Sequence, residues 1–218
     1  MIDAEALVFD YPTGRVLHGV GFVVRAGAVL ALVGPEGAGK STLLRCLAAL
    51  DGPTRGHISV AGLDTQDDPR GVHGLVGYLP EAAGLYDALT VRQSLTYAAR
   101  TRGVTAAGTE AAVAFTSARV GLAQALDELA GELAPGPRQR LALGQALVHR
   151  PRVLLLDAPM AALEASARAV LVSLIPPLAA VGTTVVISAR FLSELGDICT
   201  EVLMLEAGRV VGGGVIRL

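Results

Sequence analysis

The stretch AVLALVGPEGAGKSTLLRCLAAL (28–50) decides the fold. Residues 28–33 are apolar without alternation, as in a strand buried on both faces. GPEGAGKS (34–41) follows and satisfies G-x-x-x-x-G-K-[ST]. STLLRCLAAL (41–50) then has helical periodicity until Asp51-Gly52-Pro53 ends it. Between a strand and a helix this motif has a mechanism: the glycines let backbone N–H groups curl around phosphate oxygens, and the helix N-terminus adds partial positive charge. Gly34, Pro35, Glu36, Gly37, Ala38, Gly39, Lys40, Ser41 and Thr42 form the candidate loop. Lys40 is placed to reach the β/γ-phosphates and the Ser41 hydroxyl to ligate Mg²⁺. Lys40 is also the single lysine of a chain with 17 arginines. The bland alternative is a glycine-rich turn that matches by accident.

Composition bounds the rest. The chain has 218 residues, 52% hydrophobic and 17% charged, enough for one substantial core and too apolar for disorder. A net charge of −2 and a pI near 6.1 argue against a nucleic-acid partner. Cys46 and Cys199 have no metal or disulfide spacing and read as core residues in a reducing compartment. His18, His57, His73 and His149 lack metal-ligand spacing and read as surface or turn residues. No secretory signal is visible at the N-terminus. The uncharged run 169–189 is interrupted by Pro176-Pro177 and Gly182, so a helix, a turn and a strand are expected there rather than a membrane span.

Upstream of the loop, 5–11 and 20–24 read as short strands with YPTGRVLHG turning between them. HISVAGLD (57–64) reads as a strand leaving into a loop, and LVGYLPE (75–81) as another strand. From the N-cap candidate Thr90, a helix is expected to Gly103, and 108–130 is helical with a break at Gly121. The helix expected at 137–150 carries Pro137 in its first turn. VLLLD (153–157) is a buried strand delivering Asp157, where a carboxylate can hold Mg²⁺ through water. A helix over 164–180, a strand at TTVVIS, a helix at FLSELGD and a hairpin turning at 206–208 complete the chain.

These patterns together resemble the nucleotide-binding subunit of an ABC transporter, over essentially the whole length. GPEGAGKS matches Walker A, and RQRLALGQALVHRPRVLLLDAP resembles the signature helix running into Walker B. Tyr11 sits where the family's aromatic stacks on adenine, although Tyr-Pro is also an ordinary turn feature. AALE (161–164) sits at the D-loop. The resemblance implies an α/β P-loop NTPase with a RecA-like core and an antiparallel β lobe (1–85 and 137–218) and a helical lobe (86–136). It implies ATP and Mg²⁺ as cofactors, with Ser41, Asp157 and Glu81 as metal ligands. It also implies a membrane-spanning partner touched by the helical lobe and the 81–86 loop, and a second nucleotide-binding subunit, identical or not, in a head-to-tail dimer. The expected location is cytoplasmic, peripheral on the inner face of the cell membrane.

The departures are concerted. The family's LSGGQ appears as LAPGP (133–137): Ala134 lacks the hydroxyl, Pro135 lacks an N–H, and Pro137 replaces the glutamine. Glu81 replaces the Q-loop glutamine, Ala158 the glutamate that polarises water, and Arg190 the switch histidine. The expected function is therefore Mg-ATP binding with very weak or no hydrolysis. The alternatives are an ATPase energising export with partner-dependent turnover, and a small P-loop metabolite kinase, which leaves the RQRLALGQAL helix unexplained. Two roles stand for Arg190, holding the γ-phosphate or pairing with Glu81 or a surface acid. Glu81 or Glu164 acting as a substitute base is the rescue reading.

Overall fold

The computed structural model describes residues 1–82, 84–160, 165–195 and 198–216, with backbone alone at 165–167. Two sheets carry the fold. Strands β1 (Ile2–Tyr11), β2 (Gly14–Val24), β4 (Arg55–Val60) and β5 (Leu63–Asp64) form an antiparallel sheet in the order β2-β1-β4-β5. Strands β3 (Val29–Val33), β6 (Val76–Leu79), β7 (Val153–Leu156), β8 (Thr184–Ala189), β9 (Glu201–Glu206) and β10 (Arg209–Val215) form the second, in the order β10-β9-β3-β8-β7-β6. Every pair in the second sheet is parallel except β9–β10, a hairpin.

The apolar runs are explained by what covers each face. Along β3, Leu30 and Leu32 enter a core shared with the antiparallel sheet and helix α1 (Lys40–Leu47), while Val29, Ala31 and Val33 enter a second core. That second core is built by α3 (Val91–Thr101), α4 (Ala106–Arg119), α5 (Pro135–Leu147) and α6 (Ala165–Ala180). β7 divides the same way, with Val153 and Leu155 on one side and Leu154 and Leu156 on the other. A strand between two cores has no solvent face, so its sequence cannot alternate. Cys46 and Cys199 are buried, one in each core, and burial pushes their thiols up to about 12 and about 11, so both stay protonated.

Local signals hold where they have a mechanism. Thr90 caps α3 reciprocally with Gln93, and Gly121, at φ 68°, follows the end of α4. Elsewhere the structure corrects the expectations. The turn expected over 11–19 is confined to residues 12–13, because β1 and β2 pair from Tyr11–Gly14 back to Ile2–Val24 and bulges absorb the irregular pattern. HISVAGLD is a hairpin, with Ala61 and Gly62 at positive φ turning β4 into β5. A short helix, α2 (Pro69–Leu75), capped by Asp68, was not expected. Helix α5 starts at Pro135, two residues early. FLSELGD shows one 3₁₀ turn, Leu192–Glu194, and its residues 196–197 lie outside the described residues. Helix α6, by contrast, spans Ala165–Ala180 much as expected and runs on through the exposed Pro176 and Pro177, because burial of Leu171, Leu174 and Ile175 holds the helix. No helix among the described residues is long and apolar enough to cross a membrane.

His149 lies in a turn, as expected, but is half-buried rather than on the surface. It follows α5, its ring hydrogen-bonds through Nε2 to the Val76 carbonyl at 3.2 Å, and burial, reinforced by Arg102, pushes its pKa down to about 4. Its folded pKa lies below the unfolded value of about 6.5, so its contribution is complete above pH 6.5 and lost as pH falls through 4. The expected slope in urea unfolding is of order 1 kcal/mol per pH unit in that window, flattened in His149→Gln.

Candidate functional site

The loop 34–39 turns between β3 and α1 because its backbone reaches conformations other residues resist. Gly37 (φ 76°) and Gly39 (φ 97°) lie in the left-handed region. A Cβ at Gly34 would collide with the Leu205 carbonyl of β9. The β9–β10 turn braces the loop from behind: Gly208 N–H donates to the Ala38 carbonyl at 3.0 Å, and the Gly208 carbonyl accepts from His18 N–H at 2.9 Å.

A cleft of about 700 Å³ opens over this loop, a size suited to a nucleotide-scale ligand. Glu36, Gly37, Ala38, Gly39, Lys40, Ser41 and Thr42 line it, and Glu81, Asp157, Ala158 and Arg190 converge on it from three other segments. Gly34 and Pro35 lie behind the lining and act through their carbonyls, which accept from Lys40 Nζ at 2.7 and 2.8 Å. Burial lowers the Lys40 pKa; Asp157, Glu81 and Glu194 oppose that shift and Arg190 adds to it. The ammonium is thus stored on the loop's own carbonyls, within reach of an incoming phosphate.

Asp157 directly follows β7 and is 4% exposed. Its Oδ1 accepts from Ser188 Oγ at 2.8 Å, and Ser188 Oγ in turn accepts from Ala158 N–H at 2.7 Å. This bridge fixes the carboxylate between β7 and β8 and leaves Oδ2 without a protein donor among the described residues. Asp157 Oδ2, Ser41 Oγ and Glu81 are hard oxygen donors of the kind Mg²⁺ takes alongside phosphate, so the residues fit that ion. Ala158, at φ 43°, presents a methyl group where an acid would face the cleft.

Tyr11 comes to the cleft's edge rather than into its lining: its Oη lies 3.4 Å from Thr42 Oγ1, and its ring packs edge-on against Phe9 at 4.8 Å. Val16, from the paired strand, lines the cleft instead. Arg190 forms an ion pair with Glu36 at 3.5 Å, not with Glu81. Both partners are more than half exposed, so the pair is worth little and yields readily to a competing anion. Ala134, Pro135 and Pro137 sit apart from the cleft at the start of α5. Ala134 is its N-cap without a side-chain bond, and two of the first three helical residues have no N–H. Glu164 and the 161–164 D-loop stretch lie outside the described residues.

Three contributors escaped sequence reasoning. Ser188 is the one hydroxyl near the C-terminal end of the buried run TVVISA, which Thr184 opens, a signal that could have been followed to the neighbouring strand's carboxylate. Arg168, on α6, adds a third cation to the lining, and Glu194 adds an acid; neither carries a spacing signal. Ser188→Ala should cost about 1.5–3 kcal/mol in denaturant unfolding, the scale of a hydrogen bond to a charged group, because Asp157 and the Ala158 N–H both lose their partner.

The family described as ABC transporter matches residues 17–161. YbhF of Escherichia coli K12, a probable multidrug ABC transporter ATP-binding protein, is 36% identical over 191 residues, covering 88% of this chain and 33% of that protein. The chain thus spans about a third of that relative's length. The ABC transporter ATP-binding protein NatA of Bacillus subtilis is 30% identical over 204 residues, covering 93% of this chain and 83% of NatA. A solved ATP binding subunit of an ABC transporter superposes with a TM-score of 0.90 at 28% identity, covering 99% of this chain and 90% of that one. A bacterial ABC transporter cassette solved as a dimer has a TM-score of 0.89 over the whole of both chains, a likeness of fold at 22% identity.

Proposed function

The chain belongs to the ABC transporter family as one of its ATP-binding domains, and from that premise we propose that it binds Mg-ATP in the loop cleft and hydrolyses it very weakly or not at all. One observation carries this reading. The phosphate loop, Lys40 and the Ser188-braced Asp157 are assembled, while Ala158 puts a methyl group where the water-activating acid belongs. Loss of a positioned general base costs about 10²–10⁴ in rate. Groups supplied by a partner to transition-state phosphates are worth about 10³–10⁵. The two terms need not add, because such residues act as a unit.

Tyr11 supports an adenine contact by its place beside Thr42, and Arg190 supports γ-phosphate retention once the phosphate displaces Glu36. Ser41, Asp157 and Glu81 hold Mg²⁺. The altered start of α5 lies away from this chain's own cleft, so in a head-to-tail pair it would serve the partner's nucleotide. A second reading follows: with a partner whose signature is intact, this chain's cleft is completed on one side and turns over slowly. A membrane-spanning subunit is the other partner. The exposed, edge-to-face Tyr86 and Tyr97 beside a cleft of about 240 Å³ on the 81–86 side of α3 support its docking there, and such docking would hold the chain peripherally on the inner face of the cell membrane.

The test mixes the chain with Mg-ATP labelled on both base and γ-phosphate and follows bound nucleotide and ADP together. Wild type should retain ATP without ADP, and Lys40→Ala should retain none. Ala158→Glu with Arg190→His should raise turnover by no more than about 10²–10⁴-fold. ADP formed by wild type in a Lys40-dependent way would sink the hydrolysis half of the proposal.

A further inference from the structure

A second cleft, of about 760 Å³, opens at the other end of the parallel sheet. Its lining includes residues just before β3, β7 and β8, whereas the phosphate loop follows the opposite end of β3. The C-terminal ends of α4, α5 and α6 enclose it, and Phe115, Leu178 and Val181 give it an apolar wall. Val181 is 80% exposed.

Three guanidiniums line the same cleft: Arg119, Arg150 and Arg152. No carboxylate is in the lining, and none of the three has an ion pair among the described residues. Arg119 and Arg150 both rest on the Phe115 ring, at 5.5 and 5.0 Å from its centroid. That stacking orders two like charges that would otherwise repel. Arg150 also holds a φ of 54°, where glycine would be unstrained. In a chain of net charge −2 this is a local surplus of positive charge.

The surrounding helix ends define which anion fits. Helix C-termini present carbonyls rather than N–H groups and carry partial negative charge. A small hydrated anion therefore meets guanidiniums but no backbone donors, and gains little on leaving water. A molecule with one carboxylate and an apolar body satisfies the guanidiniums and the Phe115–Val181 wall together. We propose that this cleft binds an amphiphilic carboxylate, with a medium-chain fatty-acid anion as its simplest example. This cleft shares no lining residue with the cleft over the loop.

Calorimetry of the nucleotide-free full chain with decanoate, below its micelle-forming concentration, tests the proposal. Decanoate should bind saturably at one site per chain, decanol at least about ten-fold more weakly, and inorganic phosphate without measurable heat, since charge and body are both required. Arg150→Gly suits the local backbone and should weaken decanoate at least about ten-fold, as should Arg119→Gln, with thermal unfolding confirming that each variant folds. Should Arg150→Gly fail to fold, Arg119→Gln combined with Arg152→Gln makes the same comparison. Absence of saturable binding, equal affinity for decanol or phosphate, or unchanged affinity in the variants overturns the proposal. So does a concentration-dependent elution volume with no decanoate binding, which would assign the cleft to contact between two copies of the chain.

Discussion

The parallel register of β3, β8 and β7 is the constraint on which the rest depends. Val33 pairs with Ala189, so the phosphate loop and Arg190 leave the sheet side by side. Leu156 pairs with Ile187, so Asp157 and Ser188 are next neighbours and their hydrogen bond needs no further device. A one-residue slip would exchange the two cores' side chains along a whole strand and separate these groups. The two-sided burial that forbids the slip is therefore also what assembles the site. Packing supplies the positional precision here, since the site's own polar contacts are few.

The same burial explains what the sequence made legible. Runs such as VLALV and VLLL can be read because no face is left for polar residues. The phosphate loop can be read because few sequences satisfy its geometry. The β1–β2 and β4–β5 hairpins were harder, since bulges break the two-residue period and a turn centred on Ala61-Gly62 carries a weaker signal than Asn-Gly. The helix over 164–180 was legible despite Pro176 and Pro177, because local propensity loses to the burial of Leu171, Leu174 and Ile175 on the opposite face.

The candidate site divides along the same line. Residues within the loop were legible from local spacing. Contacts that join distant segments were not, because Ser188 to Asp157 and Arg190 to Glu36 span 31 and 154 positions and depend on strand order. The resemblance located Arg190 but left its partner open. The ion pair with Glu36, a residue of the loop itself, couples the occupant of the switch position to the phosphate cradle, with both partners largely exposed. Exposure on both sides makes this pair weak.

The pattern of substitutions has a thermodynamic logic. Contacts made equally to bound nucleotide and to its transition state set affinity, whereas only contacts that strengthen at the transition state set rate. Loop N–H groups, the Lys40 ammonium and a carboxylate that holds a cation belong mostly to the first kind. The acid that polarises water belongs to the second, and so do donors that close on the γ-phosphate from a second chain. In this chain the loop, Lys40 and Asp157 of the first set are present and braced, by the β9–β10 turn behind the loop and by Ser188 beside Asp157, while Glu81 is altered. The second set is where the methyl of Ala158 and the prolines of α5 fall.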